Sequence, residues 1–348
     1  MPAAGDEASQ AELLRAEYER YDRCVDVVSA AEVWFTKASG LRDTVAHFER
    51  YPTITTGDTT ATPDFTVLFT DGTAYVGELS NLSLEAGSLD SLCGQLGRYD
   101  RLDRVPGPGG KLVEVTAVDV LLFVPHSDAN SAVARMAAAI ADEDHPYSPS
   151  RFPSVFAWSF DATNTRYVFT LAGGASNQRP RGHGREPSLE GWMSSPTSFD
   201  TLIGLPKHFQ EIKVARRFMN DPPPALYMAT LLWGAVLPSM SGGEGDVSTS
   251  ATEFAERLRH DYGRGKAAEV AQALELLQVA GLAAREGDDG WVIAHQPINR
   301  HEEDLAATLI DRFKSRPSGP VTFAAKERAR KARRERESNK QLQTGLED

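Results

Sequence analysis

The chain has 348 residues, a formal net charge of −12 and 41% apolar side chains, enough for ordinary cores in two or three domains. No apolar run approaches the roughly 20 residues of a membrane span, and the acidity argues against a molecule that coats nucleic acid with its whole surface. Cys24 and Cys93 are too few for a disulfide framework and lack metal-ligand spacing; the opening Met1-Pro2-Ala3-Ala4-Gly5-Asp6-Glu7 lacks the basic and apolar regions of a secretory signal. A cytoplasmic protein with no membrane partner is expected.

Taken in chain order, residues 8–23 place Leu13, Leu14, Tyr18 and Tyr21 at helical spacing, and a second helix is expected from about Ala30 to Tyr51, stopped by Pro52. Residues 53–62 read as a Thr-rich loop. Phe65–Phe69 is an apolar strand, Asp71-Gly72 a turn, and Tyr75–Ser80 its hairpin partner. A helix is predicted over Ser88–Leu102, a flexible break at Pro106–Gly110, a doubly covered strand over Val115–Val124 and an Ala-rich helix over Ala129–Asp142. Two more strands follow, Ser154–Phe160 and Arg166–Leu171, then an exposed loop rich in Gly, Ser, Pro and Arg. The second half reads as helices at 206–219, 224–239, 250–262 and 266–280, leading into a short strand, a Gly-Asp turn and the strand around Trp291. The expected organisation is an α/β domain over 1–175, a linker over 176–205, an α-rich domain over 206–300, and a helix with a basic tail over 301–348.

Side chains alternate across a strand, so Glu78 and Ser80 share a face, and Asp64 stands at the start of the neighbouring strand. Two carboxylates so placed suit one hard divalent cation. Gln95 and Tyr99 share a face of the next helix. The runs Thr62-Pro63-Asp64-Phe65, Gly77-Glu78-Leu79-Ser80 and Gln95-Leu96-Gly97-Arg98-Tyr99 resemble the PD-(D/E)xK nuclease superfamily, in particular its RecB-like branch, over roughly residues 40 to 125.

That resemblance implies a restriction-endonuclease-like, three-layer mixed sheet and a Mg- or Mn-dependent deoxyribonuclease hydrolysing phosphodiesters, in repair, restriction or defence. Asp64 and Glu78 would hold the metal, with Glu49 completing its shell. Gln95 and Tyr99 would brace the acids or meet the DNA backbone, and Arg98 would supply charge and contact nucleic acid. The family's lysine position is Ser80, and no Lys lies between Lys37 and Lys111. The alternative is therefore a catalytically inactive nuclease fold acting as a binding or adaptor protein.

Ala273 to Ile293 resembles the end of a winged helix-turn-helix module, which would contact DNA or a protein partner. Arg257, Arg259, Arg264 and Lys266 there, and Arg179, Arg181 and Arg185 in the loop, are candidate phosphate contacts. A transcriptional regulator with an N-terminal ligand sensor is a third reading. No phosphate-cradling Gly-rich loop, paired-His zinc pattern or Ser or Cys nucleophile motif occurs.

Overall fold

The computed structural model describes residues 4–37, 43–57, 59–80, 86–161, 166–172, 197–200, 218–241, 245–287, 290–295 and 302–315. The chain divides into two compact units: Cys24–His208, and a second made of Met1–Arg23 together with Phe209–Asp348. Both are built of helices and sheet, so the molecule is mixed α/β.

The first helix, α1, runs unbroken over Ala4–Lys37. The expectation of a helix continuing to Tyr51 is corrected here, because Val45–Arg50 is a strand, β1. Its residues have period two: Phe48 and Arg50 face one way, His47 and Glu49 the other, as their partners Val67, Phe65, Leu68 and Thr66 require. The expected loop over 53–62 contains a small hairpin, β2 (Ile54–Thr56) and β3 (Thr59–Ala61), which turns at Gly57 with φ +56°. β4 (Phe65–Phe69) and β5 (Thr73–Leu79) follow, then α2 (Ala86–Tyr99). The expected flexible break near Gly110 joins a second hairpin, β6 (Arg104–Pro106) and β7 (Leu112–Glu114). β8 (Ala117–Pro125), α3 (Ala129–Ala141), β9 (Ser154–Asp161), β10 (Arg166–Leu171) and β11 (Thr197–Asp200) complete the unit.

The seven-stranded sheet has the order β1-β4-β5-β8-β9-β10-β11. β1, β4 and β5 form an antiparallel meander; β5, β8 and β9 are parallel, and β10 and β11 return antiparallel. Parallel neighbours need a crossover, and α2 and α3 supply the two required here. Helices cover both faces. Val27, Val28, Ala31, Trp34 and Phe35 of α1 pack on Phe65, Phe69, Tyr75 and Phe123 of one face. Leu92, Leu96 and Tyr99 of α2 and Val133 and Met136 of α3 pack on Val76, Val120 and Leu122 of the other. β8 is consequently buried on both sides, which is why it reads as a continuous apolar run. Buried Arg50 ties β1 to α1: Nη1 donates to Ser29 Oγ at 2.8 Å, and Nε donates to Glu32.

In the second unit α4 (Ala225–Leu231) passes through a π-helical turn, Leu232–Val236, into α5 (Leu237–Ser241). β12 (Gly245–Ser250) leads to α6 (Ala251–Tyr262), whose N-terminus is capped by Ser250 Oγ, accepting from Glu253 N at 3.1 Å. Gly263 at φ +74° ends that helix. α7 (Ala267–Val279), β13 (Ala283–Glu286), β14 (Gly290–His295) and α8 (Glu302–Ser315) follow. The three strands form an antiparallel sheet ordered β12-β14-β13. Tyr21 of α1 belongs to this unit, where its ring meets Tyr227 at 4.6 Å and its hydroxyl accepts from Met219 N at 3.0 Å. The helix expected at 206–219 falls mostly outside the described residues, as do the loop holding Arg179, Arg181 and Arg185 and the basic tail. No helix among the described residues is long and apolar enough to cross a membrane.

Candidate functional site

Three adjacent strands and one helix meet around two acidic side chains. Phe65 pairs with Gly77 across the β4–β5 ladder, so Asp64 and Glu78, one step further out, lie opposite each other at the mouth of the hairpin. Residues directly opposite in an antiparallel pair project to the same face, here the face covered by α2. Asp64 and Glu78 are both buried. Asp64 Oδ2 accepts from Leu79 N at 2.7 Å, while its own N–H donates to Gly77 O at 3.0 Å. Backbone on the partner strand therefore holds this carboxylate in place.

Glu78 is held from α2. Gln95 Nε2 donates to Glu78 Oε1 at 2.8 Å and to Tyr99 OH at 2.6 Å, and Tyr99 OH donates to Glu78 Oε2 at 2.9 Å. Both carboxylate oxygens thus have neutral donors, and the spacing of Gln95 and Tyr99 is what lets one helix face reach both. Burial, and then the Glu78 carboxylate itself, push the Tyr99 phenol well above its ordinary range, so it remains a proton donor.

Gly77 makes the hairpin mouth possible. A Cβ there would stand 2.1 Å from Phe65 Cζ, so the aromatic ring lies directly over the glycine backbone. The residue preceding Glu78 and the residue following Asp64 are locked together by this contact. At the other side of Asp64, Tyr51 holds the left-handed conformation with φ +50°, and its N–H donates to Asp64 O at 2.8 Å. It is the one non-glycine positive-φ residue among those described. Neither constraint was expected from the sequence, although a lone glycine within a strand pattern is a general sign of close backbone approach.

Glu49 reaches the same face by a different route from the one expected. It lies on β1 rather than on a helix, opposite Thr66, and so projects to the α2 side as Asp64 and Glu78 do. Its Oε2 lies 3.1 Å from His47 Nε2. Among the described residues no group of three or more His, Cys, Asp or Glu side chains is gathered closely enough to hold a metal.

Ser80 follows on the same face as Glu78, with its N–H donating to Phe123 O at 2.9 Å. The ladder between β5 and β8 thus continues one residue past the strand, and a short neutral hydroxyl occupies the position beyond Glu78.

No family model, curated protein or solved structure matches the chain.

The basic candidates are dispersed. Arg98 is exposed on α2, beside Gln95 and Tyr99 in sequence. In the second unit Arg264 is turned inward: Nη1 donates to Met219 O and, at 2.6 Å, to Asn220 O, and Nη2 lies 3.2 Å from Glu269 Oε1. Its guanidinium therefore braces the start of α7. Arg257 stands 3.7 Å from Asp261, and Arg259 Nε donates to Ala255 O at 3.3 Å within its own helix. Lys266 is exposed, with its ammonium 3.9 Å from Glu269.

Chemically, the arrangement offers two preoriented carboxylates at a strand mouth, one anchored by backbone and one by an amide and a phenol.

Proposed function

We propose that the Cys24–His208 unit is a nuclease scaffold of the PD-(D/E)xK type that hydrolyses phosphodiester bonds in DNA. The observation that carries the reading is the convergence of Asp64 and Glu78 on one face of adjacent strands, with Gln95 and Tyr99 clamping Glu78 from the following helix. The order helix, three antiparallel strands, helix and parallel strand, with helices on both faces of the sheet, also supports it.

The donor set fits magnesium or manganese. Magnesium keeps several of its waters and takes one or two carboxylates instead of an all-protein cage, so Asp64 and Glu78 would hold it, and Glu49 faces the same side of the sheet. Bound there, such an ion would lower the pKa of water and stabilise charge on a phosphoryl oxygen. The chain's own part is to hold the two carboxylates in register and keep Glu78 oriented through Gln95 and Tyr99, as outer partners orient metal ligands generally.

A second reading rests on Ser80. With a hydroxyl where the family has an ammonium, the scaffold serves binding without turnover. In the second unit, the order strand, helix, helix, two strands, with β14 between β12 and β13, supports a winged-helix module as the docking element. Cleavage of linear, supercoiled and single-stranded DNA with magnesium or manganese separates the two readings, comparing the native chain with Asp64→Ala and Ser80→Lys. Native cleavage abolished by Asp64→Ala establishes the enzyme. A silent native chain that gains activity as Ser80→Lys establishes a scaffold retired into binding. Cleavage that persists in Asp64→Ala overturns the assignment of this site.

A further inference from the structure

On the outer side of α2, one turn from the acid clamp, a cleft of about 100 Å³ opens between the helix and the segment that follows α3. Gly94, Gly97 and Arg98 line it from the helix, Arg101 from the turn that follows, and Tyr147 and Ser148 from the opposite wall. Its volume suits several waters or the oxygens of one phosphate.

Two observations give the cleft a chemical character. Arg98 lies in the last turn of α2 and Arg101 in the turn that follows, its N–H donating to Arg98 O at 3.3 Å, and both line the cleft; both are exposed, and neither has a carboxylate partner among the described residues. Elsewhere on this acidic chain, Arg50, Arg104, Arg151, Arg257 and Arg264 each stand beside a carboxylate. The neighbouring acids make other contacts: Asp100 accepts from Ser150 N at 2.7 Å and Ser150 Oγ at 2.8 Å, and Asp90 lies 3.4 Å from His145.

The helix surface just before the arginines is also open. A Cβ at Gly94 would meet nothing within 4 Å, and one at Gly97 would only touch the Tyr147 ring at 3.5 Å. Two glycines within one helix sacrifice helix propensity, and they let an outside group approach the helix surface next to the two arginines in the cleft they share. Arginine is the side chain whose planar donors match phosphate bidentately. α2 carries Gln95 and Tyr99 on its inner side and borders the cleft on its outer side, so a phosphate held there is bound at the helix that clamps Glu78.

We propose that Arg98 and Arg101 form a phosphate-anchoring cleft for a nucleic-acid backbone, holding the strand against the outer side of the helix that clamps Glu78. The proposal rests on the nuclease reading for its choice of ligand, but its test does not depend on turnover. The probes are fluorescein-labelled 20-mers, duplex and single-stranded, titrated in EDTA against the full chain by anisotropy at several salt concentrations. The native chain binds at low salt, and its affinity falls linearly in log–log against salt. The Arg98→Gln/Arg101→Gln double variant loses about tenfold or more in affinity, and its salt slope drops by about 1 to 2, as expected for one or two lost phosphate contacts. Arg98→Lys/Arg101→Lys keeps the slope, which excludes misfolding as the cause. Unchanged affinity and slope in the Gln variant overturn the proposal, as does a native chain that binds neither oligonucleotide. So does inorganic phosphate binding by calorimetry that oligonucleotides do not compete away, which marks a small-anion site only. DNA cleavage with no dependence of binding on these arginines leaves the active-site reading standing and removes this one. The reverse result does the opposite.

Discussion

At Tyr99, burial and the neighbouring Glu78 charge act in the same direction, keeping the phenol protonated and donating. Because its folded pKa is raised, the stability it lends is fully present below the ordinary tyrosine range near pH 10 and is lost only as pH climbs above it. Tyr99→Phe removes one donor from Glu78 and one acceptor from Gln95, leaving a buried carboxylate oxygen without that partner; the expected cost is about 1–3 kcal/mol in urea unfolding. If the unit is an enzyme, activity falls about 10- to 100-fold in the same variant, the scale for residues that orient metal ligands. Urea curves that superimpose on the native chain's would show that the hydroxyl supports nothing. Cys93 offers a pH reading. Burial, with Asp90 adding to it, pushes its thiol up from 9.0 to about 11. Its thiolate at a given neutral pH is about a hundredfold scarcer than that of an unperturbed cysteine, so alkylation by iodoacetamide is slow at about pH 8 and rises roughly tenfold per pH unit towards 11. The matching stability contribution is intact below pH 9 and disappears between about 9 and 11. Peptide mapping that finds Cys93 labelled at the free-thiol rate near pH 8 would contradict this.

At the scale of elements, the β4–β5 hairpin depends on a ring lying where a side chain would be. Gly77→Ala drives a methyl into the Phe65 ring, and overpacking of this kind costs about 1–3 kcal/mol. A lowered urea midpoint with an unchanged m-value is the expected result; a neutral outcome would mean that Phe65 has an alternative place to go. This hairpin was legible in the sequence because two signals agreed there: an apolar run ending at Phe69 and the turn residues Asp71-Gly72. α2, β8 and α3 were legible for similar reasons, each joining a clear period to a bounded length. β1 was not, because Ala30 to Phe35 is strongly helical and nothing in the local pattern of residues 45–50 outweighs a helix already under way. Its alternation acquires meaning only beside β4, where His47 and Glu49 face α2 and Phe48 and Arg50 face α1. The acid pair itself could be read from strand parity. The Leu79 N–H on Asp64, the phenol on Glu78 and the arginine pair beyond it depend on which elements meet, and spacing along the chain does not encode that.

For the whole molecule, the division of the chain is itself informative. Tyr21 belongs with the residues after Phe209 through its ring contact with Tyr227 and its hydrogen bond to Met219 N. Tyr21→Ala is expected to destabilise that unit by about 3–5 kcal/mol, the usual range for deleting a large buried aromatic. The unfolding of Cys24–His208 should be changed far less, so calorimetry should separate one transition from the other; equal displacement of both would show that the two units melt as one. The arrangement also sets an order of events during synthesis. Cys24–His208 is contiguous and can close as it leaves the ribosome, whereas Met1–Arg23 must wait, with Tyr21 exposed, until residues from Phe209 onward have been made. At about 10 residues per second that delay is roughly 20 s, a window in which the start of the chain is available to chaperones while the acid-bearing sheet is already formed.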